Sequence, residues 1–314
     1  MGARTLRLGT RRSLMATTQS GQVAQMITDR TGVAVELAGF TTHGDVSREA
    51  LTQIGGTGVF VSALRQRLLD GDVDLVVHSL KDLPTEETAG ITLAAVPARD
   101  DPRDALAARG GAKLADLPAG ARIGTGSPRR AAQLLGIRPD LHCVPVRGNA
   151  DTRLRKVEAG EVDAVVLAYA GLARIARLEA VTQVFETDEM LPAPGQGALA
   201  VECRAGDTQT CELLAAVNDP ASRAAVTAER SLLATLEAGC HAPIGAHAAG
   251  TDILHLRAAV LATDGTAAVR LSTSGPVADA DRLGRELAAA LLGRGAGAHM
   301  PVPPARSSNG EHVV

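Results

Sequence analysis

One seven-residue pattern occurs twice in this chain, as Gly71-Asp72-Val73-Asp74-Leu75-Val76-Val77 and as Gly160-Glu161-Val162-Asp163-Ala164-Val165-Val166. Each copy follows a helix-like stretch containing Leu and Arg, and each ends in a short apolar run that reads as a buried strand. Each half also opens on a Gly-Thr turn near arginine, at Gly9-Thr10-Arg11 and at Gly124-Thr125. Helix–turn–strand units share such patterns by chance, so similarity alone leaves duplication open. A true duplication gives two related lobes, with a ligand cleft where the strand ends of both meet.

Strand and helix patterns alternate throughout. The spacing predicts a strand over Thr5–Gly9, a helix over Leu14–Arg30, a strand over Val33–Phe40, a helix around Val59–Leu69 and a strand over Asp74–His78. The second stretch repeats the scheme with strand Arg122–Gly124, helix Pro128–Leu135, strand His142–Val146, helix Thr152–Ala159 and strand Asp163–Ala168. Such alternation indicates parallel sheets covered by helices. Pro97–Pro102 and Leu191-Pro192-Ala193-Pro194-Gly195 read as crossings between lobes, being rich in residues that helices exclude. After Pro220 come a helix over Ser222–Thr235, alternating segments His255–Leu261 and Ala267–Thr273 joined by an Asp264-Gly265 turn, and a helix over Ala278–Leu292. This last part predicts a small antiparallel sheet with helices. The expected division is lobe one from 1–98 plus 196–217, lobe two from 99–195, a C-terminal α+β domain from 218–292, and a disordered tail from 293–314 with no periodic pattern.

Composition removes several functions. The net charge of −3 supplies no basic field for nucleic acid, and an aromatic content of 1% without Trp leaves almost no stacking platforms. No apolar run is long enough for a membrane span. The four cysteines, Cys143, Cys203, Cys211 and Cys240, have no CxxC spacing, which points to a reduced cytoplasmic setting. The Arg- and Ser-rich start resembles a transit peptide, but Thr5–Gly9 already reads as a strand and is taken as mature protein. No apolar patch demands a partner, so a monomer is the default.

The richest chemistry lies at Ile123-Gly124-Thr125-Gly126-Ser127-Pro128-Arg129-Arg130. Ser127 suits an N-cap and Pro128 a first helical position, so free N–H groups, a positive helix end and two guanidinium groups converge on one point. Arg11, Arg147 and Arg153 also sit where strands end and helices begin. Any one arginine there is ordinarily a solvated residue, but five in one kind of place imply a ligand with several acidic groups. His78-Ser79-Leu80-Lys81-Asp82-Leu83-Pro84 emerges at the same carboxyl edge. Asp82 there offers an acid/base, a stabiliser of positive charge, or simply a turn cap. Cys240, in Gly239-Cys240-His241-Ala242-Pro243, reads either as a reactive loop thiol or as a small buried hydrophobe. Metal binding through Cys240, His241 and His247 lacks a fourth ligand at normal spacing. Gly55-Gly56-Thr57-Gly58 misses the dinucleotide fingerprint, and no Walker lysine follows any glycine loop.

Together these segments resemble the porphobilinogen deaminase (hydroxymethylbilane synthase) family. The resemblance runs through Leu6–Ser13, Val77–Pro84, Ile123–Leu135, Val146–Leu154, Pro194–Arg204, Ala228–Leu233 and Gly239–Gly245, in the family's order over roughly the first 250 residues. It implies an α/β fold of two periplasmic-binding-like lobes with mixed, mainly parallel sheets, plus a small C-terminal α+β domain. The implied activity is a transferase that joins four porphobilinogen molecules head to tail into hydroxymethylbilane, releasing ammonia. The implied cofactor is dipyrromethane, assembled from the substrate and held by a thioether at the position of Cys240. The family's catalytic aspartate falls on Asp82, implying contact with pyrrole N–H groups and stabilisation of the azafulvene cation. Lys81, Ser79, Thr125, Ser127, Arg129 and Arg130 match cofactor-binding positions; Arg11, Ser13, Arg147, Arg153 and Gln196 match substrate-binding ones. Two departures stand out: Gln53 and Thr57 replace loop lysines, and Pro128 stands where the family often has leucine. His241 and Asp151 fall at variable positions and receive no role. A non-catalytic module that uses a two-lobed cleft to hold an acidic small molecule is the competing reading; Asp82 and Cys240 separate the two, because such a module needs neither.

Overall fold

The computed structural model describes residues 4–40, 58–237 and 242–300. The chain runs through β1 (Thr5–Arg11), α1 (Leu14–Thr31), β2 (Ala34–Phe40), α2 (Gly58–Leu69), β3 (Leu75–Ser79) and β4 (Ile91–Ala95). It crosses to β5 (Asp104–Ala108), β6 (Arg122–Gly124), α3 (Pro128–Ile137), β7 (His142–Val144), α4 (Ala150–Glu158), β8 (Ala164–Ala168), α5 (Tyr169–Arg174) and β9 (Gln183–Val184). It then returns to the first sheet as β10 (Leu199–Arg204), followed by α6 (Thr208–Ala215). The last part is α7 (Pro220–Thr235), β11 (Ile244–Ala249), β12 (Ile253–Leu261), β13 (Ala268–Pro276) and α8 (Ala280–Gly293).

The first sheet has the order β2-β1-β3-β10-β4 and the second β7-β6-β8-β5-β9. In each, one strand runs against its two neighbours, β10 in the first and β5 in the second, and the other four point one way. The alternation pattern alone predicts parallel pairing throughout; it misses these strands because each enters from a crossing rather than from a helix of its own lobe.

The repeated pattern performs one job twice. Gly71 and Gly160 have φ of 80° and 74°, the left-handed region that ends a helix at low cost for glycine. The next residues close the same bonds: Asp72 N–H donates to the Arg67 carbonyl at 3.0 Å, and Glu161 N–H to that of Lys156 at 2.9 Å. Each acid also pairs with the helix, Asp72 with Arg67 at 2.9 Å and Glu161 with Lys156 at 2.5 Å. Asp74 then accepts from Arg7 N–H at 2.8 Å and Asp163 from Arg122 N–H at 2.8 Å, seating β3 beside β1 and β8 beside β6. Gly9 pairs with Val76 and Gly124 with Val165, equivalent places in the two sheets. Shared hydrogen bonds at matched positions make the two lobes structural copies.

The C-terminal domain is an antiparallel β11-β12-β13 sheet under α7 and α8. Leu232, Leu254, Leu256, Leu283, Leu287 and Leu291 fill its core. The β12–β13 hairpin turns where Asp264-Gly265 indicates, with Gly265 at φ 77°. The ordered chain goes past Gly293, where the tail was expected. Ala296–His299 forms a short 3₁₀ turn with Ala296 fully buried, and Met300 packs on the same core, so apolar contact rather than periodicity holds this segment. Residues 301–314 lie outside the described residues.

Glu229 of α7, fully buried, joins all three parts. It accepts from Arg99 Nη1 (2.7 Å) and Nη2 (3.1 Å) in one crossing, from Gly195 N–H (2.6 Å) in the other, and from Ala248 N–H (2.8 Å) in β11. Arg99 Nε also donates to the Gln196 carbonyl at 2.8 Å. Among the described residues no helix is long and apolar enough to cross a membrane.

Candidate functional site

β3 leaves the first sheet at Ser79 and turns through a single 3₁₀ turn, Leu80–Asp82. Buried Leu80 anchors the turn, and its N–H donates to the Ala198 carbonyl at 3.0 Å. Gly195, at φ 75°, lets the second crossing press on this turn, since a Cβ there would lie 2.3 Å from Leu80 Cδ2 and 3.3 Å from Lys81 N. Lys81 and Asp82 are thereby fixed at the sheet's carboxyl end, both half-buried.

In lobe two, Ser127 is the N-cap of α3 and Pro128 its first residue, as the sequence indicates; the Ser127 hydroxyl accepts from Arg130 N–H at 3.4 Å. Gly124 precedes this turn under Val146 and Val165, which would lie 2.9 and 3.0 Å from a Cβ. Arg129 and Arg130 turn inward and are buried. Both converge on Asp104, the first residue of β5, which is fully buried. Arg129 Nη1 donates to Asp104 Oδ2 at 2.7 Å, while Arg130 Nε and Nη2 donate to Oδ1 at 3.0 and 2.8 Å. Gln196 Nε2 adds a bond to Oδ1 at 2.9 Å and another to the Pro102 carbonyl at 2.7 Å. Arg129 Nη1 also reaches the Leu191 carbonyl (2.6 Å) and Arg130 Nη1 that of Val166 (3.1 Å).

These two groups face one another across a cavity of about 240 Å³. Lys81 and Asp82 form one wall; Ser127, Arg129, Arg130, Arg153 and Gln196 form another; Leu233, Ala242 and Ile244 of the C-terminal domain close it. Burial works against the Asp104 carboxylate, but the charges and hydrogen bonds of Arg129 and Arg130 win and hold its carboxyl well below the usual range. Burial pushes Lys81 down to about 8; Asp82 opposes that shift, and Arg130 and Arg129 add to it. Burial likewise lowers Arg153, with Arg130 as the second cause. One carboxylate between two guanidinium groups leaves an excess positive charge in the wall. Arg129 Nε is buried and has no hydrogen-bond partner among the described residues.

Of the residues singled out from sequence, Lys81, Asp82, Ser127, Arg129, Arg130, Arg153 and Gln196 meet at the cavity. The five arginines do not share one wall: Arg11 ends β1 and Arg147 is exposed before α4, both off the cavity lining. Ser13 caps α1 and accepts from Ala16 N–H at 3.4 Å. Ser79 accepts from Gln19 Nε2 at 2.9 Å, and Thr125 is buried beneath the turn with its hydroxyl accepting from Ser127 N–H at 3.2 Å. Cys240, Gln53 and Thr57 lie outside the described residues; Glu237 and Ala242 flank the Cys240 loop, and Ala242 lines the cavity. Asp104 was missed, though an acid opening the apolar run Ala105-Leu106-Ala107 was a usable signal.

The family described as "porphobilinogen deaminase, dipyromethane cofactor binding domain" matches residues 6–212. The chain belongs to the porphobilinogen deaminase family. That family's C-terminal domain matches residues 223–293. A porphobilinogen deaminase from Thermobifida fusca is 62% identical over 300 residues, covering 92% of this chain and 94% of that protein. Porphobilinogen deaminase 1 from Streptomyces coelicolor is 55% identical over 313 residues, covering 94% and 97%. Among solved structures, a periplasmic substrate-binding protein of an ABC transporter from Coxiella burnetii aligns at 18% identity and TM-score 0.44, over 68% of this chain and 92% of that one.

Proposed function

We propose that this chain condenses four porphobilinogen molecules head to tail into hydroxymethylbilane, releasing ammonia at each addition. The observation that carries the reading is the cavity itself, where Asp82 and Lys81 of lobe one face Arg129, Arg130 and Arg153 of lobe two. Each porphobilinogen brings an acetate and a propionate, so a lengthening product gathers carboxylates that need cationic partners.

The residues present fit a dipyrromethane bearing such side chains. Among the described residues, the Nε of Arg129 is a buried donor without a partner, and its Nη2 is engaged only at 3.5 Å, by Gln196 Oε1. This guanidinium therefore keeps unused donor capacity for an acidic ligand, whereas the Nε and Nη2 of Arg130 are both held by Asp104. Lys81 and the Ser127 helix end supply further donors, with Thr125 and Ser79 shaping the turns beneath them. Cys240 is the tether by family match. When bound, the dipyrromethane supplies the free pyrrole carbon from which the product grows.

Asp82 holds its carboxylate toward the cavity, accepts from pyrrole N–H groups and stabilises the positive charge that develops as ammonia leaves. Arg153 and Gln196 orient substrate side chains at the wall; Arg11, Ser13 and Arg147 receive those that extend beyond it. The domain division expected from sequence belongs to this reading and is supported by the return of β10 to the first sheet. The protein acts as a cytoplasmic monomer; its large exposed apolar residues, among them Leu14, Leu37, Ile137 and Ile253, are spread over different elements. Asp82→Ala tests the assignment: turnover of porphobilinogen should fall to a negligible level while the thermal unfolding profile stays unchanged. Near-normal turnover would remove Asp82 from the chemistry.

A further inference from the structure

At the end of the first sheet remote from the cavity, two cysteines stand together. Cys203 of β10 and Cys211 of α6 place their sulfur atoms 3.2 Å apart. Neither backbone is loose. Cys203 pairs with Leu75 on one side and Thr92 on the other, and Cys211 N–H donates to the Asp207 carbonyl at 3.0 Å. A disulfide needs a sulfur separation near ~2.05 Å, so closure requires a shift of about 1 Å, within reach of small side-chain rotations. The third described cysteine, Cys143, lies in the other lobe, its sulfur 4.0 Å from the Ala131 carbonyl.

We propose that Cys203 and Cys211 form a dithiol site that peroxide converts to an intramolecular disulfide. The two thiols divide the work by exposure. Cys203 is fully buried, which keeps an oxidant in solution from its sulfur and bars it as the entry point; burial and its sulfur neighbour also raise its thiol. Cys211 is half-buried, so the oxidant arrives there. The Cys211 sulfur attacks one peroxide oxygen, the O–O bond breaks, and water leaves, giving a sulfenic acid. The Cys203 sulfur then attacks the Cys211 sulfur; the S–O bond breaks and the hydroxyl departs as water with the Cys203 proton. Two thiols are oxidised, and one peroxide is reduced to two waters.

The bond ties α6 to β10 without disturbing the reaction site. Cys203 lies opposite Leu75, whereas Leu199 lies opposite Ser79, where β3 turns toward Lys81 and Asp82. Four residues of strand separate the two ends by about 13 Å. Closure of so short a loop constrains the unfolded chain and raises Tm.

The test uses the purified full-length enzyme, reduced and then titrated with hydrogen peroxide. The expected result is a loss of about two mass units, disappearance of two titratable thiols, and a Cys203–Cys211 linked peptide after digestion without reductant. Reductant should restore both thiols, kcat and KM of the oxidised enzyme should stay within about twofold of the reduced one, and Tm should rise. Cys211→Ser should abolish the cross-link, and Cys143→Ser should retain it. Sulfinic acid at Cys211 without a cross-link, a cross-link through Cys143, or an unchanged thiol count would overturn the proposal. The mass, thiol-count, peptide and Tm readouts do not depend on the deaminase assignment; only the comparison of kcat and KM does.

Discussion

Replacing Asp104 by Asn should weaken the fold and the cavity wall together. Asp104 is fully buried, and the two arginine side chains it neutralises are 4% and 7% exposed. Asn keeps the size but removes the charge, and its amide donor would face guanidinium donors. Breaking a buried ion pair by removing one partner costs about 3–5 kcal/mol, because the charge left behind is uncompensated. At about 2–4 °C per kcal/mol for a protein of this size class, Tm should fall by roughly 6–20 °C. The Asp104 carboxyl is depressed in the folded state, so its stabilising contribution is present above the ordinary aspartate range and is lost as pH falls toward the folded value. Accordingly, the Tm gap between wild type and Asp104→Asn should stay nearly constant from pH 7 to about pH 5 and narrow as pH falls below about 4. Circular dichroism melts of wild type, Asp104→Asn, Arg130→Met and the double variant measure the effect. The double variant should lose less than the sum of the single losses, because it removes the stranded charge. A Tm within about 2 °C of wild type for Asp104→Asn, or strict additivity in the double variant, would refute the ion-cluster account.

Three further outcomes follow from the same geometry. Lys81 is one of three lysines, with Lys113 and Lys156, so reductive ¹³C-methylation and NMR should show a resonance titrating near 8 that vanishes in Lys81→Arg. Because this pKa lies below its unfolded value, the unfolded chain binds the proton more tightly between about 8 and 10.4, and this group's contribution to stability rises with pH across that window; since the α-amino group also titrates at about 8, the contradicting result is a spectrum in which no resonance titrating near 8 is lost in Lys81→Arg. Glu229→Gln strips the charge from the carboxylate that joins both crossings to the C-terminal domain, and denaturant unfolding should show a loss of about 3–5 kcal/mol; a loss below about 1 kcal/mol would mean that the three parts are held elsewhere. Gly124→Ala forces a Cβ to 2.9 Å from Val146 Cγ1 and should cost about 1–3 kcal/mol in the same assay, with an unchanged midpoint refuting the tight fit.

The strands and helices that carry their own local pattern were legible in the sequence. Arg122–Gly124 and the Ser127-Pro128 helix start appear where capping and apolar spacing put them, and the duplicated Gly-Asp/Glu-Val-Asp unit marks equivalent helix ends and strand seats. β10 and β5 were not assigned, because their antiparallel places depend on where a crossing delivers them rather than on local spacing. At the site, Asp82, Lys81 and the α3 arginines were legible as chemistry at strand ends. Their use was not: a turn that offers Arg129 and Arg130 to solvent and one that buries them on Asp104 have the same local sequence. The partner that decides between the two sits on β5, with Arg129 and Arg130 well removed from it along the chain. Glu229 carried a quieter signal, a lone acid among Ala225, Val226, Ala228 and Leu232 on the buried face of α7.

On the proposed mechanism, the cavity between the lobes builds a tetrapyrrole on a group tethered at Cys240. The intact mass of purified wild type and of Cys240→Ala, before and after adding porphobilinogen, tests it most directly. Wild type should carry a mass excess of two linked pyrrole units and gain further units stepwise with substrate, while Cys240→Ala should carry none and gain none. A wild-type mass equal to that of the bare chain and unmoved by porphobilinogen, or an excess that persists in Cys240→Ala, would contradict it.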